Sequence, residues 1–162
     1  MVELRDIMFD NVYSILKLTP ANNQQYFVSS AAEMIAMAFA GSNEKCPGFL
    51  AAIYNDEIPV GIILIGRSEV ENGEVDILQK YKYAYRLWGF FIDENYQRKG
   101  IGKAALKLAF DKLKEYPDSK QLPLYLECKR ENKIALNLYE SFGFKNTGIL
   151  YEDDYLLVKF PE

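Results

Sequence analysis

The run Gln97-Arg98-Lys99-Gly100-Ile101-Gly102 constrains this chain more than any other stretch. It follows an apolar, strand-like segment, Leu87-Trp88-Gly89-Phe90-Phe91-Ile92, and leads into a helical pattern with Ala105, Leu106, Ala109, Phe110 and Leu113 on one face. Two glycines at a strand-to-helix junction let the backbone approach a ligand closely and turn its N–H groups outward. The emerging helix adds the positive end of its dipole, so the junction suits a phosphate or pyrophosphate. The competing reading is a tight turn in which the glycines only relieve strain. The basic pair Arg98-Lys99 favours the anionic ligand. A Rossmann site is disfavoured, because the third glycine and the acidic residue after a following strand are both missing. No Gly-Lys-Ser/Thr triplet forms a Walker loop either.

Around this turn the pattern alternates helices and strands. Val12, Ile15 and Leu16 predict a helix over Asp10 to Leu18, stopped by Thr19-Pro20. Ser30 with Glu33 forms a capping-box pattern for a second helix, with Gly41 at its close. Phe49–Tyr54 and Ile58–Ile65 read as a hairpin joined at Asn55-Asp56-Glu57. Arg67 to Tyr83 reads as a loop or irregular edge excursion lying over a binding site. Tyr85–Ile92 is then a buried strand, Pro117 ends the next helix, and Leu122–Cys128 is a further strand. Asn132 caps a short helix carrying Ala135, Leu138, Tyr139 and Phe142, with Gly143 at a left-handed C-terminal position. Thr147–Tyr151 and Tyr155–Phe160 are the last two strands. A mixed sheet covered by helices, in one domain spanning 1–162, is the expected architecture.

Bulk properties narrow the chemistry. A net charge of −4 argues against a nucleic-acid partner, and no apolar run reaches membrane-spanning length. Cys46 and Cys128 do not make a disulfide framework, so a cytoplasmic protein is expected. The chain contains no histidine, which removes Ser–His and Cys–His pairs and disfavours a metal site. Acid–base work falls to Glu, Asp, Tyr, Lys or water.

The run Asn132-x-x-Ala135-x-x-Leu138-Tyr139-x-x-Phe142-Gly143-Phe144 follows a strand. It resembles the closing motif of the GCN5-related N-acetyltransferases, the GNAT superfamily. Gln97-x-x-Gly100-x-Gly102 resembles that family's acyl-CoA turn. The resemblance is strongest from Leu87 to Phe144. It implies an α/β (α+β mixed) fold: a central, mostly antiparallel twisted sheet of about six to seven strands flanked by about four helices. Strands 87–92 and 124–128 would be parallel and splayed. It further implies an N-acetyltransferase that uses acetyl-CoA as cosubstrate, with no metal. Backbone N–H groups of Arg98, Lys99, Gly100, Ile101, Gly102 and Lys103, beside Gln97, would cradle the pyrophosphate. Phe91 and Ile92 would pair with pantetheine, Asn132 would hold the pantetheine arm or a water, and Tyr139 would lie near the thioester sulfur.

In the chemistry so implied, an amine attacks the thioester within a ternary complex, a strand N–H holds the oxyanion and a thiolate departs. A phenol can protonate that thiolate. From spacing alone Tyr139 also reads as a core tyrosine, and Asn132 as a helix N-cap. Cys128 reads as a small apolar side chain in a buried strand rather than an acylated nucleophile.

Within the superfamily, Phe90-Phe91-Ile92-Asp93-Glu94-x-Tyr96-Gln97 looks most like the bacterial spermine/spermidine (diamine) acetyltransferases. Glu69, Glu71, Glu74 and Asp76, with Tyr81, Tyr83 and Tyr85, could form an acidic, aromatic mouth for a polyamine. Relatives in this branch tend to carry an acid where this chain has Trp88. Glu127, isolated in the apolar strand Leu124–Cys128, is the candidate to bind or deprotonate the amine, unless it points to solvent. The expected partner is a small-molecule amine; a homodimer is an open assembly. The alternatives are a non-catalytic acyl-CoA sensor on the same fold, or a transferase for a peptide amine or aminoglycoside.

Overall fold

Strands β2 (Gly48–Asn55) and β3 (Ile58–Glu69) bury both faces, which is why they read as continuous apolar runs. Ala51, Ile53, Ile63 and Ile65 enter one core cluster, whereas Ala52, Tyr54, Ile62 and Leu64 enter a second on the opposite face. The structure, a computed structural model, describes residues 1–70 and 76–161. Among these, the remaining strands are β1 (Val2–Arg5), β4 (Tyr83–Ile92), β5 (Leu124–Lys129), β6 (Lys145–Tyr151) and β7 (Asp154–Lys159). They form one seven-stranded sheet in the order β1-β2-β3-β4-β5-β7-β6. Every neighbouring pair is antiparallel except β4 with β5.

Helices cover both faces. α3 (Ile101–Leu113) and α4 (Lys133–Ser141) pack Leu106, Ala109, Leu136 and Tyr139 into the first cluster. α1 (Val12–Ile15) and α2 (Ala31–Asn43) supply Ile15 and Met34 to the second. The expected capping box at Ser30 is present: Ser30 N donates to Glu33 Oε2 at 2.7 Å, and Glu33 N donates to Ser30 Oγ at 3.3 Å. Those bonds hold the Glu33 carboxyl below its usual pKa.

Several boundaries depart from expectation. α2 does not end at Gly41 but runs to Asn43, and Lys45 takes the left-handed conformation with φ 57°. α1 is one turn rather than the segment Asp10–Leu18, because Thr19 is pinned to the end of β4 by its N–H to Asp93 Oδ2 (3.0 Å) and its carbonyl to Glu94 N (3.1 Å). α3 ends at Leu113, ahead of Pro117. Arg67, Ser68 and Glu69, expected in a loop, continue β3 against β4. β1 has no alternating signal and is held on the sheet edge opposite Ala52–Asn55.

Two irregularities in β4 prepare the site. Leu64 faces Gly89 while Ile65 faces Leu87, so β4 carries one extra residue, Trp88. This bulge changes the parity of the strand. Tyr85 and Leu87 before it and Phe90 and Ile92 after it all pack toward α3, while Trp88 and Phe91 pack toward α2. Secondly, the parallel ladder of β4 and β5 holds only Tyr85 opposite Leu124 and Arg86 opposite Tyr125. Beyond Arg86 the two strands part.

Candidate active site

The turn after β4 is stapled at its base. Asp93 is 6% exposed, and its carboxylate accepts from Thr19 N, Asn95 N and Asn95 Nδ2 at 3.0, 3.1 and 2.9 Å. The Gln97 amide donates to Ile92 O at 2.8 Å and to Gln24 Oε1 at 2.7 Å, tying the turn to the segment before α2. Arg98 (φ 60°) and Gly100 (φ 77°) then turn the backbone through left-handed conformations. A Cβ on Gly100 would meet nothing within 4 Å, so conformation rather than crowding calls for glycine there.

The first helical hydrogen bond runs from Ala104 N to Gly100 O at 3.1 Å. Hence the N–H groups from Arg98 to Lys103 donate to no acceptor among the described residues. They gather at the positive end of a thirteen-residue helix, an arrangement that favours an anion by about 0.3–1 kcal/mol per charge from the dipole alone. The side chains of Arg98 and Lys103 line the adjoining cleft. Ile101 instead packs into the core and Lys99 Nζ bonds Asn95 O at 3.0 Å, so these two offer only their backbone to a ligand.

That cleft, about 830 Å³, occupies the fork between β4 and β5. Phe90, Phe91 and Ile92 form one side, Glu127 and Cys128 the other, and α4 supplies Leu138 and Tyr139. Gln24, Phe27 and Val28, which no motif marked, close it from the segment before α2. Asn132 caps α4 by accepting Ala135 N on Oδ1 at 3.2 Å, which leaves its amide N–H₂ without an acceptor among the described residues. One side chain thus serves the helix while keeping a donor at the cleft.

Tyr139 is 8% exposed with its ring 5.9 Å from that of Phe144, and its hydroxyl has no hydrogen-bond partner among the described residues. Burial, and secondarily the neighbouring Cys128, raise its phenol above the ordinary value. The hydroxyl therefore stays protonated and is a donor. Burial pushes the Cys128 thiol up to about 12, with Asp154 adding to it, so the thiolate a nucleophilic cysteine needs is absent at neutral pH.

On the opposite face of the fork, Arg86 Nη2 pairs with Glu127 Oε1 at 3.0 Å. The Arg86 guanidinium also lies 4.1 Å from the Trp88 ring centroid and 5.6 Å from that of Tyr125. Trp88 walls a second cleft of about 600 Å³ with Met37, Gly41, Phe49, Leu50 and Leu64.

The family model described as the acetyltransferase (GNAT) family matches residues 10–144. The chain belongs to the GNAT acetyltransferase family. It is 29% identical to a spermine/spermidine N(1)-acetyltransferase of Bacillus subtilis (strain 168), over 98% of this chain and 97% of that one. It is also 36% identical to an Escherichia coli (strain K12) [ribosomal protein bS18]-alanine N-acetyltransferase, over 39% of this chain and 40% of that one. Among solved structures, the PaiA N-acetyltransferase of Thermoplasma acidophilum in complex with coenzyme A superposes with a TM-score of 0.65 at 16% identity, covering 99% of each chain. Arabidopsis thaliana Naa50, in complex with a bisubstrate analogue, gives 0.65 at 22% identity, covering 98% of this chain and 97% of that one. At such identities the likeness establishes the fold. As a GNAT enzyme the chain is an acetyltransferase that uses acetyl-CoA.

The acceptor-side residues expected for this GNAT chain are only partly brought together. Trp88 and Glu127 meet through Arg86. Tyr85 does not join them: it is fully buried on the α3 face and donates to Asp118 Oδ1 at 2.6 Å. Its parity before the bulge sends it there, and Asp118 also holds Arg67 in an ion pair. Glu69 is exposed at the end of β3 opposite Tyr83, about 16 Å along the strand from Trp88 at about 3.3 Å per residue. Glu71 and Glu74 lie outside the described residues. Among the described residues no group of three or more His, Cys, Asp or Glu could hold a metal, and no helix is long and apolar enough to cross a membrane. Arg86 was the residue that motif reading missed. Its signal was a lone charge inside an apolar strand, matching Glu127 inside the other.

Proposed function

We propose that this GNAT enzyme transfers acetyl to a primary amine that enters the fork from the α2 face. One observation carries the reading. A turn with six unbonded N–H groups opens onto a fork whose β4 edge is unpaired on the β5 side. These features fit an extended ligand with a diphosphate at one end. When bound, acetyl-CoA supplies an activated acetyl thioester.

The chain's own groups then divide the work. The backbone from Arg98 to Lys103, with the side chains of Arg98 and Lys103, binds the diphosphate. The unpaired backbone of Phe91 and Ile92 orients the pantetheine arm as an added strand would be oriented. The Asn132 amide donates to that arm. Phe27, Val28 and Leu138 exclude water from the reacting centre. Tyr139 holds a proton on its hydroxyl beside the position of the leaving sulfur. Its raised pKa keeps that proton in place until strong negative charge develops nearby, so it acts first as a hydrogen-bond donor. Glu127 and a water are the groups available to receive the amine's proton.

The whole-length relative acts, by its name, on spermine and spermidine, and this supports a polyamine among the acceptors; partial relatives act on protein α-amines. The test is thiol release from acetyl-CoA over a panel of polyamines, arylalkylamines, peptides and aminoglycosides. Tyr139→Phe should lower turnover by about 10²–10⁴-fold while CoA affinity stays within about twofold. Unchanged turnover removes Tyr139 from the mechanism, and CoA binding with no transfer across the panel removes the reading.

A further inference from the structure

The acceptor side of the fork already holds a cation, and it belongs to the protein. Arg86 is the last β4 residue on the parallel ladder, and Glu127 stands two residues beyond its partner on β5. Their ion pair therefore spans the vertex where the strands part. The guanidinium lies against the Trp88 and Tyr125 rings and donates to the carboxylate. Two aromatic rings and an acid are the groups that would otherwise receive an ammonium from the substrate. The side chains of Arg86 and Glu127 are only 22% and 20% exposed, so an incoming cation has to break a partly desolvated pair and strand the arginine.

The neighbouring cleft points the same way. It is walled by Trp88, Met37, Phe49, Leu50 and Leu64, and a volume of about 600 Å³ accommodates an aromatic or aliphatic group. Of the charged side chains on it, Arg67 is held by Asp118 and Glu44 lies at the exposed end of α2.

We propose that Arg86 sets acceptor specificity by occupying the place of a second substrate cation, so that the site selects a primary amine bearing one charge on an apolar or aromatic body. Two sources share that chemistry: a small arylalkylamine, and the α-amine of a peptide that begins with an apolar residue. An α-amine has the further advantage that, with pKa about 7.7–8.0, roughly a tenth of it is neutral at pH 7 without help from a side-chain base. The assignment rests on the acetyl-transfer reading above and deepens it.

The experiment measures kcat/KM at saturating acetyl-CoA for 2-phenylethylamine, a pentapeptide starting with Met, and spermidine. The wild-type chain is compared with Arg86→Gln, Arg86→Lys and Trp88→Ala. The wild type should favour one of the singly charged amines over spermidine by at least tenfold. Arg86→Gln should narrow that ratio at least tenfold, chiefly through a lower KM for spermidine, and Arg86→Lys should keep the wild-type preference. Trp88→Ala should weaken the aromatic or Met-bearing acceptor more than spermidine. A wild-type preference for spermidine overturns the assignment even if Arg86→Gln does not fold. So does an Arg86→Gln ratio within twofold of wild type in protein that still gains thermal stability from CoA. Absence of transfer to all three amines, with CoA bound, defeats acetyl transfer itself and is thereby told apart from a failure of specificity alone.

Discussion

Replacing Gly102 by alanine should make the free protein more stable and the CoA complex less stable than wild type. Gly102 lies in the first turn of α3 at a φ that any residue adopts. A Cβ there would stand 3.6 Å from Phe90 Cζ, 3.7 Å from Ile92 Cγ1 and 4.0 Å from Leu138 Cδ2, all ordinary van der Waals distances. Nothing in the protein has to move, and the unfolded chain loses freedom, so the free form gains about 0.4–1 kcal/mol. For a chain of this length that is a rise of about 1–4 °C in Tm. The same three side chains line the fork, so the methyl takes space that a pantetheine arm needs. A tenfold weaker Kd is the minimum expected, equivalent to about 1.4 kcal/mol. At a CoA concentration 100 times the wild-type Kd, the wild type gains about 2.7 kcal/mol and the variant about 1.4. The order of stabilities therefore inverts between the free and liganded samples. Calorimetric melting with and without CoA reads this directly. A variant that melts below wild type when free, or that keeps the full CoA-induced rise, refutes the placement of the ligand beside Gly102.

Other perturbations separate structural from ligand roles. Asn132→Ala should lower stability by about 1 kcal/mol through loss of the α4 cap. Asn132→Asp should restore the melting temperature while leaving CoA binding weakened, because it keeps the cap acceptor and lacks the amide donor; isothermal titration decides. Gly61→Ala would drive a Cβ into the Phe91 carbonyl oxygen and to 2.9 Å from Ile92 Cδ1, costing about 1–3 kcal/mol in denaturant unfolding. The Cys128 thiol, raised in the folded state from 9.0 to about 12, contributes stability that is complete below pH 9 and is lost as pH rises through about 12. Urea unfolding between pH 9 and 11 should therefore show Cys128→Ala declining less steeply than wild type, by up to about 1.4 kcal/mol per pH unit. A thiol reagent at pH 8 should modify the exposed Cys46 quickly and Cys128 only on unfolding.

The cofactor side of this enzyme was legible in the sequence because it is built from local rules. Gly100, the N-terminus of α3, and the Asn132 cap each act within one turn of chain, and a residue's position relative to a helix end fixes what its backbone can do. The splay of β4 and β5 was reached only through the resemblance, since no residue in either strand announces that hydrogen bonding stops at Arg86. β1 escaped notice for a related reason. Four residues at a sheet edge are specified by their partner β2 rather than by their own alternation.

The acceptor side was misread where strand parity failed. A simple period of two puts Tyr85, Leu87, Gly89 and Phe91 on one face of β4, and so places Tyr85 with the residues that flank the reacting centre. The extra residue at Trp88 breaks that rule. It leaves Tyr85 bonded to Asp118 under α3, and it turns Trp88 toward α2 beside Arg86. The same shift changes what Glu127 can be. Taken alone in an apolar strand it reads as a carboxylate for a substrate amine, but across the vertex of the fork it meets Arg86. A charge isolated in each of two adjacent strands is therefore better read as a pair than as two sites. The residue that decides the acceptor is then the arginine, which carries the sign of the substrate rather than its complement.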